Sequence, residues 1–486
     1  MRSLSPVHLL AFAAFSFLCT LLSRRSRHLL LSRLRPVNEL QTHTHHNDAK
    51  ATTTSPPSPK RSELEKTFPP ERLSAHCANP SLVAARQQAL LDPSNCVPLD
   101  GDIYDPKHAN KLTPTGFSVA EINAIVDLPD YGKLSGVPLP EPLPNFDITK
   151  AKPRPYRPFR WPYHQTMSLS KLDTSFWLEL DSTYPARIAQ RISLYNQHGS
   201  SILASLPGSH QAVSELLHNV LLFLSTRYPN SFTLTPTSFT NHILSTTAAL
   251  PSPDPLLVLL HHVPEDFAIM LRCPTTGLYH LRAGVICSSL GWSLSDKLGL
   301  PLSSIHSPIP HYASKMSFSM DRYFARLPSD RPIQRGSWGL EVGEPLFVPR
   351  DSPVLEERSR RDPDLDVADV KLRVDWQTLR RLPVSAAIVF NFKALFTPLE
   401  ELRGEKGVPG LVEKVLREGD GDMLKYKGSW YVEHVVLPKL AEWRREQEEK
   451  GLGIGEIATL DESPFFEGWE EKWMTAQGSS GTEKAV

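Results

Sequence analysis

The sequence of 486 residues lacks a surplus of charge of either sign, because 53 Lys and Arg residues balance 53 Asp and Glu residues. This balance argues against a chain built chiefly to bind nucleic acid, so we expect no nucleic-acid partner. Cysteine is also scarce: five residues are scattered and no Cys-x-x-Cys pair occurs, which argues against a structural zinc site or a disulfide framework. We expect a reduced domain, although a Cys77–Cys96 bridge stays open if that segment meets an oxidising compartment.

The common catalytic signatures are missing as well. The chain contains no GxGxxG after a strand, no GxxxxGK[ST], no GxSxG and no HExxH, and no repeat of solenoid length. Proline, in contrast, is abundant, and its 44 residues cluster in a way that is typical of linkers. If the chain is an enzyme, we expect its reactive centre to come from a cofactor.

An uncharged run near the start, from Ser3 to Ser23, includes LLAFAAFSFLCTLL. At about 1.5 Å per residue it is just long enough to cross a hydrocarbon core of about 30 Å. Arginines dominate after the run, so the positive-inside rule predicts a single-pass membrane anchor at residues 1–35 with the following domain in the cytosol. A secretory signal peptide and a mitochondrial presequence remain alternatives, the latter because no acidic residue precedes Glu39.

The rest of the chain divides by composition. Residues 36–75, with THTHHNDAKATTTSPPSPKRS, predict a disordered linker, and residues 76–150 predict an extended, proline-rich segment. Residues 151–448 form the predicted folded domain, and residues 449–486 form a C-terminal tail.

Helix and strand patterns alternate within the folded domain. Asp173 is placed to cap a helix through SFWLEL, and three further stretches predict helices: QAVSELLHNVLLFLSTRYP, HYASKMSFSMDRYFARL and WYVEHVVLPKLAEWRREQEEK. DFAIMLR and LYHLRAGVICSSL predict a β-hairpin around CPTTG, and DVKLRVDWQTLRRL and SAAIVFNFKALF predict two strands joined across Pro383. The fold class is therefore α+β, an antiparallel sheet with helices before, within and after it.

One histidine lies in an unusual segment, PLSSIHSPIPHY, where His306 precedes Pro308 and Pro310. The two prolines restrict their own φ angles and push the preceding residues to extended conformations, which predicts a rigid, non-helical segment. Such a segment could direct the imidazole at iron, since neutral imidazole is a common ligand of haem iron. The alternative is a histidine that only bonds a nearby carbonyl. His164, in FRWPYHQTMSL, is open to a site role or to a local role in its loop.

A polar stripe runs along the strand KLRVDWQTLRRLP. Arg373, Asp375 and Gln377 share one face, and Thr378 lies on the other. The stripe either faces water or forms the floor of a pocket that holds a propionate, an amine or an oxygen species.

These stretches, with RPFRWPYHQTMSLSKLD, PEDFAIM, SMDRYFARL, RGSWGL and YKGSWYVEHVV, occur in an order that resembles the haem-dependent oxidative N-demethylases over about residues 155–435. The resemblance implies a PAS-like antiparallel sheet flanked by helices that holds haem b. It also implies oxidative demethylation of a small methylated amine with O₂ and electrons from a separate NAD(P)H-dependent, flavin-type reductase. A non-catalytic haem-binding sensor and a haem-less interaction scaffold are the alternatives.

The resemblance also implies roles for particular residues. His306 is the expected iron ligand, with His164 and Arg335 as further cofactor-binding residues. The expected catalytic residues in the pocket are Arg373, Asp375, Gln377 and Thr378. Departures from the family pattern leave the substrate open: Pro264 in place of Gln, Ser337 in place of Asn, Asp375 in place of Glu and His311 in place of Gly.

Overall fold

The computed structural model describes residues 65–77, 80–125, 128–164, 166–452 and 464–476. All of them belong to one compact unit of the chain, Ser55–Val486. The predicted anchor at residues 1–35 and most of the predicted linker lie outside the described residues.

The predicted membrane localisation requires a correction. In the part of the chain that the structure describes, no helix has the length and apolar character needed to cross a bilayer. The single-pass anchor and the cytosol-facing orientation that depended on it therefore find no support in the structure.

The strands form two antiparallel sheets. They are β1 (Ser170–Lys171), β2 (Leu203–Ser205), β3 (Phe232–Leu234), β4 (Ser238–Asn241), β5 (Thr246–Ala249), β6 (Asp266–Arg272), β7 (Tyr279–Val285), β8 (Ile333–Val342), β9 (Val370–Arg381) and β10 (Ile388–Pro398). The main sheet has seven strands in the order β1-β8-β9-β10-β6-β7-β2, and β3-β4-β5 form the small sheet. Every pairing within the two sheets is antiparallel, so the α+β class is confirmed.

Helices precede, interrupt and follow the main sheet. They are α1 (Pro70–Cys77), α2 (Pro80–Ala89), α3 (Val119–Asn123), α4 (Tyr131–Ser135), α5 (Tyr184–His198), α6 (His210–Arg227), α7 (Pro255–His262), α8 (Leu294–Lys297), α9 (Leu302–Ile305), α10 (Ser317–Arg326), α11 (Pro353–Glu357), α12 (Val408–Glu418), α13 (Gly421–Lys427), α14 (Glu433–Gln447) and α15 (Trp469–Ala476). Between α4 and β1 the described residues contain no helix or strand.

The two predicted hairpins are confirmed. β6 and β7 are joined through CPTTG, where Gly277 has a φ of +72° and its N–H donates to the carbonyl of Cys273 at 2.8 Å. β9 and β10 meet across Pro383, which lies in the turn and so removes no ladder hydrogen bond. The N–H of Leu382 closes that turn on the carbonyl of Ala387 at 2.8 Å.

The predicted helix at Asp173 is wrong. Asp173 accepts a hydrogen bond from the N–H of Ser175 at 3.0 Å, but it caps only a 3₁₀ turn, Thr174–Phe176. The chain then continues in an irregular path that buries Trp177, Leu178 and Leu180, and α5 begins only at Tyr184. The spacing of these three apolar residues is compatible with a helix and also with an extended chain that is buried on both sides. The spacing alone therefore could not distinguish the two structures.

Cys96 is a free thiol in a buried position, so the bridge to Cys77 that the sequence left open is not formed. Burial raises the pKa of this thiol above its usual value.

Two hydrophobic clusters cover opposite faces of the main sheet. On β9, Val374 and Trp376 point into the large cluster, which includes residues of α6 and α12. Leu379 belongs to the other face and to the small cluster, together with Phe392 of β10 and Leu302 of α9. The alternation of side chains along the strand separates the two clusters.

Candidate functional site

His306 caps the C-terminal end of the one-turn helix α9, and the non-helical segment that the sequence predicts begins at this residue. Its backbone N–H donates to the carbonyl of Leu302 at 3.0 Å. Pro308 and Pro310 follow, and proline is common just after a helix end because it cannot continue the helix. The prolines therefore stop the helix after His306, instead of preventing a helical turn before it.

The imidazole of His306 presents a free nitrogen. Its Nδ1 lies 2.8 Å from the carbonyl oxygen of Leu302, and since a carbonyl only accepts, Nδ1 carries the hydrogen and Nε2 the lone pair. No described residue bonds Nε2. Burial lowers the pKa of His306 to about 4, so the ring is neutral at pH 7. The two interpretations left open by the sequence are thus compatible, because a carbonyl bond to one nitrogen orients the other as a ligand.

A second contact fixes the plane of the ring. The ring of Tyr312 stacks on that of His306, with 5.1 Å between centroids and 16° between planes. Tyr312 is buried and begins a π-helical turn, Tyr312–Met316, which leads directly into α10. The carbonyl bond and the stack together hold the imidazole in one orientation.

The His306 segment and the face of β9 with the polar stripe border the same small cluster. Ile305, the residue before His306, packs with Leu379 in the small cluster. Leu379 shares its face with Asp375 and Gln377, both of which are half-buried. The stripe is therefore partly shielded from water near this end of the strand.

Arg335 enters the same face from β8. It is the direct partner of Gln377 in the β8–β9 ladder, so the two side chains lie side by side. The Nε of Arg335 is shielded from solvent without a hydrogen bond. Burial lowers the pKa of its guanidinium, and no carboxylate of the described residues forms an ion pair with it. A shielded cation without an anion suits a site for an anionic group.

Lys427, the last residue of α13, adds a second cation. Its Nζ donates to Ser337 Oγ and to the carbonyl of Trp338, both at 2.7 Å. Burial lowers the pKa of Lys427 to about 8, and the charges of Arg335 and Arg160 act in the same direction, against Asp375. We call Arg160, Arg335 and Lys427 the basic cluster.

The sequence analysis missed Arg160 and Lys427 as site residues. The guanidinium of Arg160 donates to Thr166 Oγ1 at 2.7 Å, to Ser168 Oγ and to the carbonyl of His164. It therefore holds the loop before β1 closed. Both cations lie inside conspicuous stretches, RPFRWPYHQ and YKGSWYV, and a basic residue between aromatic residues was the available signal.

Arg373 is committed to contacts within the protein. Its Nε donates to Asp375 Oδ1 at 2.9 Å, and its two terminal nitrogens donate to the carbonyls of Pro345 and Ser288 at 2.8 Å. The residue is 2% exposed. The structure thus gives Arg373 a positioning role toward Asp375 and toward two loops.

Two of the predicted site residues lie apart from this group. Thr378 is on the opposite face of β9, fully buried, with its hydroxyl bonded to Asn391 Oδ1. The two-residue period of the strand places it there, so it does not share the face of Gln377. His164 is exposed, with Nδ1 3.0 Å from the carbonyl oxygen of Pro162, so its main-chain carbonyl, and not its ring, contacts the basic cluster.

Ionisable side chains also tie the His306 segment to α13. The Nε2 of His311 lies 3.5 Å from a carboxylate oxygen of Asp420 and 3.5 Å from one of Asp422. Within the described ranges these three residues are the group whose composition could hold a metal ion. His311 has a φ of +60°, a left-handed conformation that glycine adopts without cost, which accounts for the glycine expected at this position.

A comparison with protein families identifies a match. The family described as "Haem-dependent oxidative N-demethylase, alpha subunit-like" matches residues 168–437, more than half of the chain. The matched range contains His306, Arg335, the polar stripe on β9 and Lys427, whereas Arg160 and His164 precede it.

Proposed function

The chain belongs to the haem-dependent oxidative N-demethylase, alpha subunit-like family, and from this premise we propose that it binds haem b through His306 and oxidatively demethylates a small amine. The observation that carries the proposal is the neutral imidazole of His306, whose Nε2 no described residue bonds, together with Arg335 and Lys427, two shielded cations that form no ion pair with a carboxylate of the described residues.

The strand order supports the finer, PAS-like description of the fold. The five long strands, counted along the chain from β6 to β10, lie in the spatial order 2-1-5-4-3. The short helices α8 to α10 are inserted between the second and third of them, and α9 and α10 cover the His306 face. This is the arrangement that a PAS-like domain requires to enclose a ligand between sheet and helices.

The residues present fit haem in two respects, as a ligand of the iron and as partners of the propionates. His306 would ligate the haem iron, since its Nδ1 bond to the carbonyl of Leu302 fixes the tautomer that leaves the lone pair on Nε2. Arg335 and Lys427 would hold the two propionates, because each is a shielded cation whose charge no carboxylate of the described residues neutralises by an ion pair. Arg160 would contribute to the same positive potential.

Haem, when bound, supplies the activation of O₂ and the oxidation of the N-methyl carbon. The net reaction would consume O₂, two electrons and two protons, and release formaldehyde, water and the demethylated amine. We propose that the electrons come from a separate NAD(P)H-dependent, flavin-type reductase.

The protein's own side chains would position the amine. A small secondary or tertiary amine is an ammonium ion at neutral pH, and a carboxylate is the natural acceptor for its N–H. Asp375 is held for this task by Arg373, and Gln377 offers an amide that no described residue bonds. Lys427, with a pKa lowered to about 8, could release and regain a proton near this group at neutral pH.

The proposal is tested by reconstituting the full chain with haem and recording its absorption spectrum. We expect a Soret band of a histidine-ligated haem in the wild-type protein and its loss, or a large shift, in His306→Ala. Arg360→Met, which changes an exposed residue, serves as a control and should load normally. Normal haem ligation in His306→Ala would remove His306 from the ligand role.

Turnover separates the alternatives that also bind haem. With an electron donor, O₂ and a panel of N-methylated amines, we expect formaldehyde release that depends on the amine. A Soret band without formaldehyde for any amine would indicate the sensor, and no Soret band at all would indicate the haem-less scaffold.

A further inference from the structure

A small cavity lies on the face of the main sheet opposite His306. Its volume is about 30 Å³, and it is bounded by α4 and the segment after it, by α6 and by the end of β9. A cavity of this size admits a water molecule or a single small ion. Its lining includes Arg380, Trp177, Thr174, Asn219, Tyr131 and Leu139.

Arg380 reaches this cavity because side chains alternate along β9. It shares its face with Thr378 and Trp376, whereas the stripe of Gln377 and Asp375 faces the other way. The cavity and the proposed haem site are therefore on opposite sides of the sheet, so an experiment on one does not depend on the other.

The guanidinium of Arg380 has no hydrogen-bond acceptor among the described residues. The residue is 6% exposed, and its Nε is shielded from solvent without a bond. Its central carbon lies 4.1 Å from the ring centroid of Trp177, a cation–π contact that stabilises the charge without neutralising it. Burial lowers the pKa of Arg380 to about 10, which reflects the unfavourable surroundings of the charge.

The buried carboxylate that acts on Arg380 electrostatically is already engaged. Glu215 accepts hydrogen bonds from the backbone N–H groups of Val384 at 2.8 Å and Ser385 at 2.7 Å. No ion pair joins Glu215 to Arg380 in the described part of the chain. The cation in the cavity is thus left without a direct counter-charge.

The next residue in the strand, Arg381, is a buried arginine whose hydrogen bonds are satisfied within the protein. Arg381 is fully buried on the other face, and its guanidinium donates to four oxygens. They are the carbonyls of Leu327 at 2.6 Å, Phe324 at 2.6 Å and Ala386 at 3.0 Å and the hydroxyl of Tyr279 at 2.7 Å. A buried cation without such acceptors costs free energy, so the difference between the two neighbours points to an acceptor that the chain itself does not supply.

We propose that the cavity beside Arg380 binds one small monovalent anion, of which chloride is the prototype. Two further donors line the space: the hydroxyl of Thr174, and the amide of Asn219, which uses one hydrogen on the carbonyl of Glu215 at 2.8 Å and keeps the other. The bound anion would neutralise Arg380 and join the segment around Tyr131 to the sheet.

The anion is tested through its effect on unfolding of the full chain. Chloride is varied at constant ionic strength against gluconate, which is too large for the cavity. A ligand that binds only the folded state lowers the unfolding equilibrium constant about tenfold for each tenfold rise in concentration above its dissociation constant. We expect this dependence in the wild type and in the surface control Arg360→Met, a flat response in Arg380→Met, and a response shifted to higher chloride in Arg380→Lys.

An equal chloride dependence in the wild type and Arg380→Met would overturn the proposal. If Arg380→Met does not fold, crystals of the wild-type protein grown in bromide decide the matter by anomalous scattering. A bromide peak beside Arg380 and Trp177 supports the site, and an empty cavity at saturating bromide rejects it.

Discussion

Arg373 donates a hydrogen bond from Nε to Oδ1 of Asp375, two residues further along the same face of β9, at 2.9 Å. The side chain of Arg373 is 3% exposed and that of Asp375 is 30% exposed. A buried cation, itself fixed by the carbonyls of Pro345 and Ser288, thus orients a carboxylate that is partly accessible. The other oxygen of Asp375 accepts no hydrogen bond from any described residue, so it is available to a ligand.

Asp375→Asn should weaken binding of the amine without disturbing haem. The amide keeps the shape of the side chain but removes the negative charge that would pair with the ammonium group. Loss of one charge-assisted hydrogen bond predicts a fall in kcat/KM of about tenfold or more, mainly through KM, which corresponds to about 1.4 kcal/mol. Steady-state formaldehyde release measures this fall, and the Soret spectrum is the control for an intact site.

Asp375→Glu, which restores the acid expected from the family pattern, should keep activity. A KM unchanged in the Asn variant would show that Asp375 does not contact the amine.

Arg373→Met should also raise KM for the amine, because it removes the residue that orients Asp375, and it should destabilise the fold. Removal of a buried cation that bonds the carbonyls of two loops and a partly accessible carboxylate predicts a loss of about 2 kcal/mol in the free energy of unfolding, measured by urea titration. In a double-mutant cycle with Asp375→Asn, the effects on KM should be strongly non-additive. Additive effects would mean that Arg373 and Asp375 act independently.

Arg335→Met and Lys427→Met should leave the apo protein as stable as the wild type or more stable, but should lower its affinity for haem. Each substitution removes a shielded cation that lacks a carboxylate partner in the described structure, so the apo protein should gain stability or keep it. Each also removes a proposed propionate contact, so haem affinity should fall about tenfold. Thermal unfolding of the apo protein and haem titration measure the two effects. Equal haem affinity in both variants and in Arg360→Met would place the propionates elsewhere.

The two faces of β9 can be separated by a matched pair of substitutions. Gln377→Leu changes the face of His306, and should alter the haem spectrum or turnover with little effect on stability. Thr378→Val changes the opposite face, where its hydroxyl bonds Asn391, and should cost about 1–2 kcal/mol of stability while haem binding and turnover stay normal. A turnover defect in a well-folded Thr378→Val protein would contradict the separation.

Much of the sheet could be predicted because strands and hairpin turns are local signals. The alternation in DVKLRVDWQTLRRL and the turn residues in CPTTG specify β9 and the β6–β7 hairpin from a few neighbouring residues. The helix expected after Asp173 failed because burial on two sides of an extended chain, set by distant residues, produces the same apolar spacing. His306 could be singled out by its prolines, but the single turn of α9 before it depends on a backbone geometry that the prolines do not determine.

The electrostatics of the site could not be predicted from the chain. Arg335 and Lys427 belong to β8 and α13 and meet only in the folded protein, and their partners, or lack of them, follow from the sheet register. The fold also places two main-chain carbonyls within hydrogen-bond distance of Arg373. The polar stripe looks uniform in sequence, but in the structure Arg373 is a positioning residue whereas Asp375 and Gln377 are partly accessible.

Glu265→Gln should remove a pH dependence from the stability of the protein. Glu265 is fully buried, one of its oxygens accepts from the N–H of Glu179 at 3.1 Å, and the other is shielded and unbonded. Burial raises the pKa of Glu265 to about 7 from 4.5, against the opposing effects of Lys393 and Arg191. A carboxyl whose pKa is higher in the folded state contributes stability that is complete below pH 4.5 and is lost as the pH rises through 7.

The wild type should therefore lose about 3 kcal/mol relative to the Gln variant between pH 4.5 and pH 8. Urea unfolding of both proteins across this range measures the difference, in which other titrating groups cancel. The exposed control Glu356→Gln should follow the wild type, and parallel curves for the wild type and Glu265→Gln would show that Glu265 is ionised throughout.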